Sequence, residues 1–308
     1  MAWKKAKTEN SLESYNSYLN KYPEGLFAEV AKLELKDLTN LTNGIIEELK
    51  EEDLIPQLYP KMIPIKGGAF VIGSTQDQST QPTTKIKIKD FLLAETETTN
   101  QQYCVFLNAK GNQREGGVSW YRIHDYSMIE EVKGEFVVKK GYENHPVVGV
   151  SWFGAIAYCD WLSEKTGETY RLPSESEWEY AAGGGASNRT RFSGTDQVEQ
   201  LDYFGNKKEK SRLDTFAQVA PVASFQKNAV GLHDMSGNVW EWCFDVWHTD
   251  YRGIPKSGDP WIEGVSADRV MRGGSWSTEI LQLWISFRDS NEAHQRYDDL
   301  GFRVAKDK

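Results

Sequence analysis

Carboxylates alternate with backbone carbonyls in the run HDMSGNVWEW, where Asp234, Gly237, Val239 and Glu241 follow one another at spacings of three, two and two. Calcium takes roughly six to eight oxygen ligands from carboxylate and carbonyl groups, so this loop is a candidate calcium site. A second set that could bind calcium across the preceding loop comprises Asp202, Tyr203, Asp214 and Phe216. Asp and Asn also populate ordinary turns, because their side chains hydrogen-bond to nearby backbone, so the spacing alone leaves both interpretations open.

The sequence signatures of the common enzyme classes are absent. The chain contains no GxSxG nucleophile elbow, no HExxH zinc motif and no phosphate-binding loop, and the GGG run at 183–185 lacks the lysine that such a loop carries. The histidines stand singly, without the spacing of metal ligands, at positions 124, 145, 233, 248 and 294. We therefore expect each histidine to be hydrogen-bonded or solvated rather than bound to a metal.

Charge and cysteine content exclude several classes of protein. Lys plus Arg number 36 and Asp plus Glu 45, which gives a net charge of −9, and without a basic run such a chain is not expected to bind nucleic acid. Cys104, Cys159 and Cys243 are widely separated, which argues against a disulfide framework and a thiolate zinc site. Cys104 and Cys159 are expected to be buried. No stretch approaches about 18 consecutive apolar residues, so no transmembrane segment is predicted.

The elements that must position these groups fall into two regions. Residues 1–58 have helical periodicity: the capping-box pattern Asn10-x-x-Glu13 begins a helix that Pro23 ends, and a second apolar stripe follows. Residues 59–308 contain short alternating runs punctuated by glycine, which indicate strands. The residues placed to cap the helices of this second region are Thr99, Ser151 and Ser174. We predict a helical hairpin at 1–58 and an α+β domain at 59–308 with much irregular structure.

Five motifs of the second region occur in a characteristic order. They are GGAFVIGS, HPVVGVSWFGAIAYCDWLSEKTGETYRLPSESEWEYAAGGG, PVASFQKNAVGLHDMSGNVWEW, RVMRGGSW and LGFRVA. Between about residues 62 and 306 the chain thus resembles the formylglycine-generating-enzyme (sulfatase-modifying factor) domain. The resemblance implies a C-type lectin fold of that enzyme's type. It also implies structural calcium at the two loops described above, bound by the same two sets of residues.

The resemblance does not bring the enzymatic activity with it. In the enzymes, two cysteines after the RGGS[YW] motif form a copper-binding redox pair, and the corresponding positions here are Thr278 and Leu283. Neither side chain can be the thiolate that binds copper and drives the oxidation. A related branch that oxidises sulfur compounds uses histidine-ligated iron on an N-terminal helical bundle, and the first 55 residues here contain no histidine. The sequence predicts the fold without the enzyme, and no required cofactor.

The segment 277–299 has no sustained period of 2 or 3.6 residues. Its flanking anchors, RGGSW, Ser286-x-Arg288, Arg296 and LGFRVA, resemble those of the variable region in diversity-generating retroelement proteins, most closely the treponemal variable proteins. The residues of this segment expected to lie in the core are Ile280, Leu283 and Ile285. The diversified, ligand-binding positions that the resemblance implies are Ser277, Thr278, Glu279, Gln282, Trp284, Phe287, Asp289, Ser290, Asn291, Gln295, Tyr297, Asp298 and Asp299.

A surface can vary only if the stability of the fold comes from elsewhere, as it does for antibody loops on their scaffold. We therefore expect core tryptophans at Trp240 and Trp276, and a 277–299 segment whose mixture of aromatic, acidic and small polar side chains suits recognition. The expected protein is a non-enzymatic receptor or adhesin that binds an unknown protein or carbohydrate on another cell. It would be exported and anchored at the cell surface, for instance through a lipid. Two alternatives stay open: a formylglycine-generating-type oxidoreductase, which the missing cysteine pair disfavours, and a carbohydrate-binding accessory domain of fixed specificity.

Overall fold

The computed structural model describes residues 2–43, 59–124, 127–208, 216 and 218–308, and its N-terminal part is helical. The helices of this part are α1 (Ala2–Glu9), α2 (Leu12–Lys21) and α3 (Ala28–Asn43). We expected the first cap at Asn10, but α2 begins after Ser11, whose hydroxyl accepts a hydrogen bond from the Ser14 backbone N–H at 3.1 Å. Asn10 instead has a φ of 41° and separates α1 from α2, a conformation that Asn tolerates better than most residues.

The three N-terminal helices share a small aromatic core. Trp3 stacks on Phe27 with ring centroids 5.0 Å apart and meets Tyr15 and Tyr18. Leu26 packs against both this cluster and the main core of the chain. Because residues 44–58 lie outside the described ranges, the division of the chain between residues 58 and 59 stays a prediction.

Three further helices begin where side-chain caps were expected. They are α4 (Asn100–Lys110), α5 (Trp152–Thr166) and α6 (Glu175–Ala182). The hydroxyls of Thr99, Ser151 and Ser174 accept hydrogen bonds from the backbone N–H three residues on, at 3.2, 3.1 and 3.0 Å. These contacts confirm the predicted caps, since each satisfies a backbone donor that the first helical turn leaves unpaired.

The strands are short and form two four-stranded sheets and several hairpins. They are β1 (Met62–Ile65), β2 (Gly68–Ile72), β3 (Thr84–Ile88), β4 (Phe91–Ala94), β5 (Arg114–Glu115), β6 (Val118–Ser119), β7 (Ile129–Val132), β8 (Glu135–Val138), β9 (Tyr170–Arg171), β10 (Trp240–Val246), β11 (Asp268–Arg272), β12 (Arg288–Glu292), β13 (Leu300–Gly301) and β14 (Ala305–Asp307). Among the described residues, one sheet has the order β1-β4-β14-β9 and the other β12-β11-β10-β13, and the pairs β2-β3, β5-β6 and β7-β8 stand alone. This mixture of helices and sheets confirms the α+β class.

Buried apolar residues pack against both faces of the sheet β12-β11-β10-β13. Trp242 and Met271 are opposite one another in the β10–β11 register and belong to one apolar cluster. Cys243 and Val270 belong to the other cluster, which also includes Trp178. Alternate residues of a strand point to opposite faces, so this sheet separates the two clusters, with β12 at its edge.

The cysteines are buried, as expected for Cys104 and Cys159, and Cys243 is buried as well. Burial raises the pKa of all three thiols above the usual range, so they are inert apolar side chains rather than nucleophiles. Within the described ranges, the helices after α6 are all 3-10 turns, and no helix has both the length and the apolarity needed to cross a bilayer.

Candidate functional site

The two positions that hold cysteines in the related enzymes lie side by side. A Cβ placed on Gly274 would come within 3.0 Å of the Thr278 hydroxyl and 2.6 Å of a Leu283 methyl. The Thr278 hydroxyl hydrogen-bonds to the backbone of Ser275, and Leu283 is buried with Phe192 and Leu201. Thr278 therefore supplies a turn-forming hydroxyl and Leu283 an apolar side chain at these two positions.

The side chain of Arg272, at the end of β11, binds backbone carbonyls in the middle of the 277–299 segment. Its guanidinium donates hydrogen bonds to the carbonyls of Ile285, Ser286 and Phe287, at 2.9 and 3.0 Å for the first two. The same guanidinium pairs with the Glu179 carboxylate on α6. None of these contacts to the segment depends on the identity of its side chains.

The side chain of Arg288 fixes the start of β12. It makes a bidentate ion pair with Glu175, with both N···O distances at 2.7 Å, and its guanidinium lies over the rings of Trp247 and Tyr251. Fully buried bidentate pairs are geometrically specific. Arg272 and Arg288 are register partners in β11 and β12, so their two ion pairs lie side by side. In the sequence both arginines appeared only as parts of the anchors RGGSW and Ser286-x-Arg288.

The remainder of the segment is also held through main-chain atoms. β12 pairs with β11 from Arg288 to Glu292. Beyond it, the carbonyl of Ala293 accepts from the Trp152 N–H at 3.0 Å, that of Tyr297 from Gly149 at 2.9 Å and that of Asp299 from Trp240 at 2.8 Å. Ile285, whose N–H donates to the Arg191 carbonyl at 2.9 Å, is buried as expected, as is Leu283, whereas Ile280 is half-buried.

Four of the thirteen candidate recognition residues have side chains that build the segment itself. Asp299 accepts hydrogen bonds from the hydroxyls of Ser275 and Ser277 at 2.7 and 2.9 Å. Thr278 closes the turn at Ser275, and the Gln282 amide oxygen accepts from the Glu279 N–H at 3.1 Å. Ser277, Thr278, Gln282 and Asp299 therefore have contacts within the segment that the sequence alone did not reveal, and their role in recognition stays a prediction.

Of the nine remaining candidates, three are exposed and six are half-buried. Among the half-buried ones, Phe287 packs against the main core cluster and Trp284 against the cluster of Leu283. Glu279 pairs with Lys208 at 2.6 Å, and Asp298 faces His124 at 3.0 Å. Trp284 lies under the Arg191 guanidinium, and the Phe287 ring meets Trp240 at 6.1 Å. Five candidates have side chains that make no hydrogen bond or ion pair with any described residue beyond the neighbouring one: Asp289, Ser290, Asn291, Gln295 and Tyr297. Tyr297 is the exposed member of this group and the other four are half-buried. Burial raises the pKa of the Asp289 carboxyl.

A cavity of about 320 Å³ is lined in part by Asp298. Trp276, Met128 and Val148 form its apolar wall, and His124 and Asp298 contribute polar groups. Trp276 is half-buried, and its indole N–H has no hydrogen-bond partner among the described residues. Of the two tryptophans expected in the core, only Trp240, which is 4% exposed, is fully there.

A lysine side chain already lies beside the carboxylate of the first candidate calcium loop. The Lys207 ammonium lies 2.7 Å from the Asp202 carboxylate, and both side chains are largely buried. The Tyr203 carbonyl accepts from the Gln226 N–H at 2.7 Å, and the Phe216 ring packs near Phe225. Asp214 lies outside the described residues. The described members of this set do not fit calcium, because a lysine already balances the carboxylate charge.

The second candidate loop fits a cation only in part. Both Glu241 oxygens accept hydrogen bonds, from Arg303 at 2.7 Å each and from the Trp178 indole at 2.8 Å. One oxygen of Asp234 accepts from the Ala223 N–H at 2.7 Å, and the other is buried without a partner. Asp234 therefore retains an oxygen without a partner among the described residues, whereas Glu241 is committed to Arg303 and Trp178.

Glu97, which belongs to neither candidate set, adjoins this loop. One of its oxygens accepts from the Asn238 amide at 2.9 Å, and the other is buried and unpartnered. Burial, and then the charge of Asp234, raise the pKa of Glu97 well above its usual range, and burial raises the pKa of Asp234 to about 6. Among the described residues, no group of three or more His, Cys, Asp or Glu side chains is arranged to hold a metal.

Sequence comparison extends these observations to known proteins. The model of the family described as "Sulfatase-modifying factor enzyme 1-like domain" matches residues 49–308. The formylglycine-generating enzyme of Streptomyces coelicolor is 31% identical over 78% of this chain and 85% of its own length. A serine/threonine-protein kinase pkn1 of Chlamydia caviae is 35% identical over 85% of this chain. The chain spans only 40% of the length of that kinase.

Solved structures share the architecture. PvdO from Pseudomonas aeruginosa superposes with a TM-score of 0.67 at 28% identity, covering 81% of this chain and 95% of that one. Treponema denticola variable protein 1 superposes with a TM-score of 0.63 at 24% identity, covering 80% and 95%. The fold is therefore the C-type lectin fold in its formylglycine-generating-enzyme variant, as the sequence motifs predicted.

Proposed function

This chain belongs to the sulfatase-modifying factor (formylglycine-generating enzyme) family, and from that premise we propose that it is a non-enzymatic member whose 277–299 segment displays a diversified ligand-binding surface. The observation that carries the proposal is the way the segment is held. Arg272 binds three consecutive backbone carbonyls, and β11 and three further main-chain contacts hold the remainder. Side chains on such a segment can change with little effect on the fold, as in other loop-based recognition surfaces.

The proposed recognition surface consists of the nine candidates that do not build the segment. They are Glu279, Trp284, Phe287, Asp289, Ser290, Asn291, Gln295, Tyr297 and Asp298. Their mixture of two large aromatics, a tyrosine, carboxylates and small polar groups resembles the composition of paratopes, where rigid aromatics supply contact area and small polar residues supply hydrogen bonds. The likeness in fold to a treponemal variable protein supports this proposal.

The absence of the redox pair supports the non-enzymatic part of the proposal. Thr278 and Leu283 stand at the two cysteine positions, and neither can ligate copper as a thiolate. A family member that oxidises a cysteine in a sulfatase peptide should turn over that peptide in the presence of copper and oxygen. We expect no formylglycine product from this chain, and measurable turnover would restore the oxidoreductase alternative.

Several broader properties belong to the same proposal. The ligand is a protein or a carbohydrate on another cell, and the protein is displayed at the cell surface through an exported, anchored form. No cofactor takes part in binding. Calcium, where present, has a structural role at the loop of Asp234, and the 1–58 helices form a structural appendage to the 59–308 domain.

The direct test is deep sequencing of the coding segment for residues 270–308 in a population of cells that carry the gene. We expect substitutions confined to adenines, a near-identical template copy nearby, and variation concentrated at the nine positions named above. An invariant segment without a template copy would overturn the diversified surface and leave a ligand site of fixed specificity on the same fold.

A further inference from the structure

A cavity of about 280 Å³ lies where the 277–299 segment meets the loop after α6. Trp284 and Ser286 of the segment line one side, and Arg189, Arg191 and Gln76 line the other. The cavity thus combines residues of the proposed recognition surface with residues of the scaffold. Its lining is cationic and polar, although the chain as a whole is acidic.

The buried ion-pair network behind the cavity leaves a positive charge at its wall. Arg272 pairs with Glu179, and Arg288 with Glu175. Arg189, at the cavity, shares the Glu179 carboxylate with Arg272, at an N···O distance of 2.6 Å. Three guanidiniums are therefore balanced by two carboxylates. The excess charge faces the cavity, because Arg189 is the member of the network that is partly exposed.

Arg191 adds a second guanidinium with unused donors. It makes no ion pair with any described residue, and it lies 5.4 Å from the ring centroid of Trp284. The acidic residue of the lining, Asp196, uses one oxygen to accept from the Arg191 backbone N–H at 2.7 Å. A cation held against an aromatic face while its N–H groups remain free is well placed to bind a carboxylate with its planar fork.

Neutral hydrogen-bonding groups complete the lining. Across the described residues, the Gln76 amide and the Ser286 hydroxyl have no hydrogen-bond partner. Ligand sites typically join an aromatic wall with a few such convergent polar groups. The site therefore offers two guanidiniums for an anion, an indole for an apolar face, and an amide and a hydroxyl for neutral polar groups.

We propose that this cavity binds an acidic sugar residue, a hexuronate of an anionic polysaccharide, with its carboxylate on Arg191 and Arg189. The proposal rests on the proposed function, because Trp284 and Ser286 belong to the recognition segment. The lining favours a sugar over an acidic protein side chain. A sugar ring offers an apolar face to the Trp284 indole and hydroxyls to Gln76 and Ser286, whereas a glutamate or aspartate side chain offers these groups only its carboxylate.

The test is calorimetric titration of the full chain with a galacturonate trisaccharide, a neutral galactose trisaccharide and a triglutamate peptide. We expect the acidic trisaccharide to bind and the other two to bind at least about tenfold more weakly, with affinity falling as salt is raised. Arg191→Gln should weaken binding of the acidic trisaccharide by about tenfold or more, because a charge-assisted hydrogen bond is lost. Arg191→Lys should retain part of the affinity.

The matched control is Arg114→Gln, which removes an equivalent exposed guanidinium from the β5–β6 hairpin, outside the cavity. It should bind like the parent, and all variants should keep the parental melting temperature. Equal binding of the neutral sugar, tighter binding of the peptide, no binding of any probe, or binding unaffected by Arg191→Gln would each overturn the proposal. The outcome is separable from the proposed function: an invariant coding segment with Arg191-dependent uronate binding would refute diversification and leave this subsite standing.

Discussion

At the scale of single residues, buried arginines hold the backbone of the 277–299 segment and of its neighbours. Arg272 and Arg288, which are register partners in β11 and β12, hold the middle of the segment. Arg303 binds Glu241 together with the backbone carbonyls of Ala94, Glu95 and His233. Removing one partner of such a pair leaves the other buried and uncompensated, at a cost of about 3–5 kcal/mol. The sequence contains these arginines within its motifs but does not predict their ion pairs, because the partners Glu175, Glu179 and Glu241 are far away in the chain.

Truncation of Trp240 should be much more costly than truncation of Trp276. Trp240 is almost fully buried, so Trp240→Ala should lower the free energy of unfolding by roughly 3–5 kcal/mol. Trp276 is half-buried at a cavity wall, so Trp276→Ala should lower it by less than about 2 kcal/mol. Urea unfolding of both variants measures the difference, and equal losses would contradict the burial of these two rings.

The pH dependence of stability should include a contribution from Asp245. Burial, and then the charge of Glu175, raise the pKa of Asp245 to about 7 in the folded chain, against about 3.9 when unfolded. The folded state therefore binds more protons between these values, and the stability contributed by protonated Asp245 is lost as pH rises from about 4 to about 7. Asp245→Asn does not titrate, so its stability relative to the parent should increase between pH 5 and pH 8. A constant difference across that range would count against the raised pKa.

At the scale of elements, patterns of neighbouring residues predicted most helix caps and strands, whereas contacts between distant residues could not be predicted. The hydroxyl caps of α4, α5 and α6 and the strands from β1 to β4 followed from nearby residues, since caps and alternation act over a few positions. The Asn10 cap was wrong because Ser11 competes for the same turn. The roles of Asp299 and Ser277 could not be predicted, because their contact joins two ends of the segment that are separated by 22 positions.

The two calcium loops should respond differently to a chelator. The proposed calcium at Asp234 stabilises only the folded state, so EDTA should lower the melting temperature, and Asp234→Ala should abolish that decrease. Asp202→Asn is the control, because Lys207 already neutralises the first loop, and it should leave the EDTA effect unchanged. If EDTA has no effect on the parent chain, the second loop holds no structural calcium.

At the scale of the whole molecule, the proposed function requires a stable scaffold beneath a surface whose side chains can change. Two apolar clusters pack against the two faces of the β12-β11-β10-β13 sheet. Among the described strands, β12 lies at an edge of this sheet and carries recognition candidates. The fold class and the family could be predicted from the long motifs, whose residues form much of the core. The sequence could not predict which residues of the segment have structural contacts, because that depends on whether main-chain or side-chain atoms make the contacts.

The central claim, that the segment is held by its backbone, is tested most directly by one comparison of melting temperatures. Asp289, Ser290, Asn291 and Tyr297 are changed to alanine together in one variant, and Ser277 and Asp299 in another. Asp299 is left out of the first variant because its carboxylate accepts two hydroxyl hydrogen bonds. The fourfold variant should melt within about 2–4 °C of the parent, a shift of about 1 kcal/mol or less, and the double variant should lose more. A fourfold variant that melts far below the parent, or below the double variant, would contradict the claim.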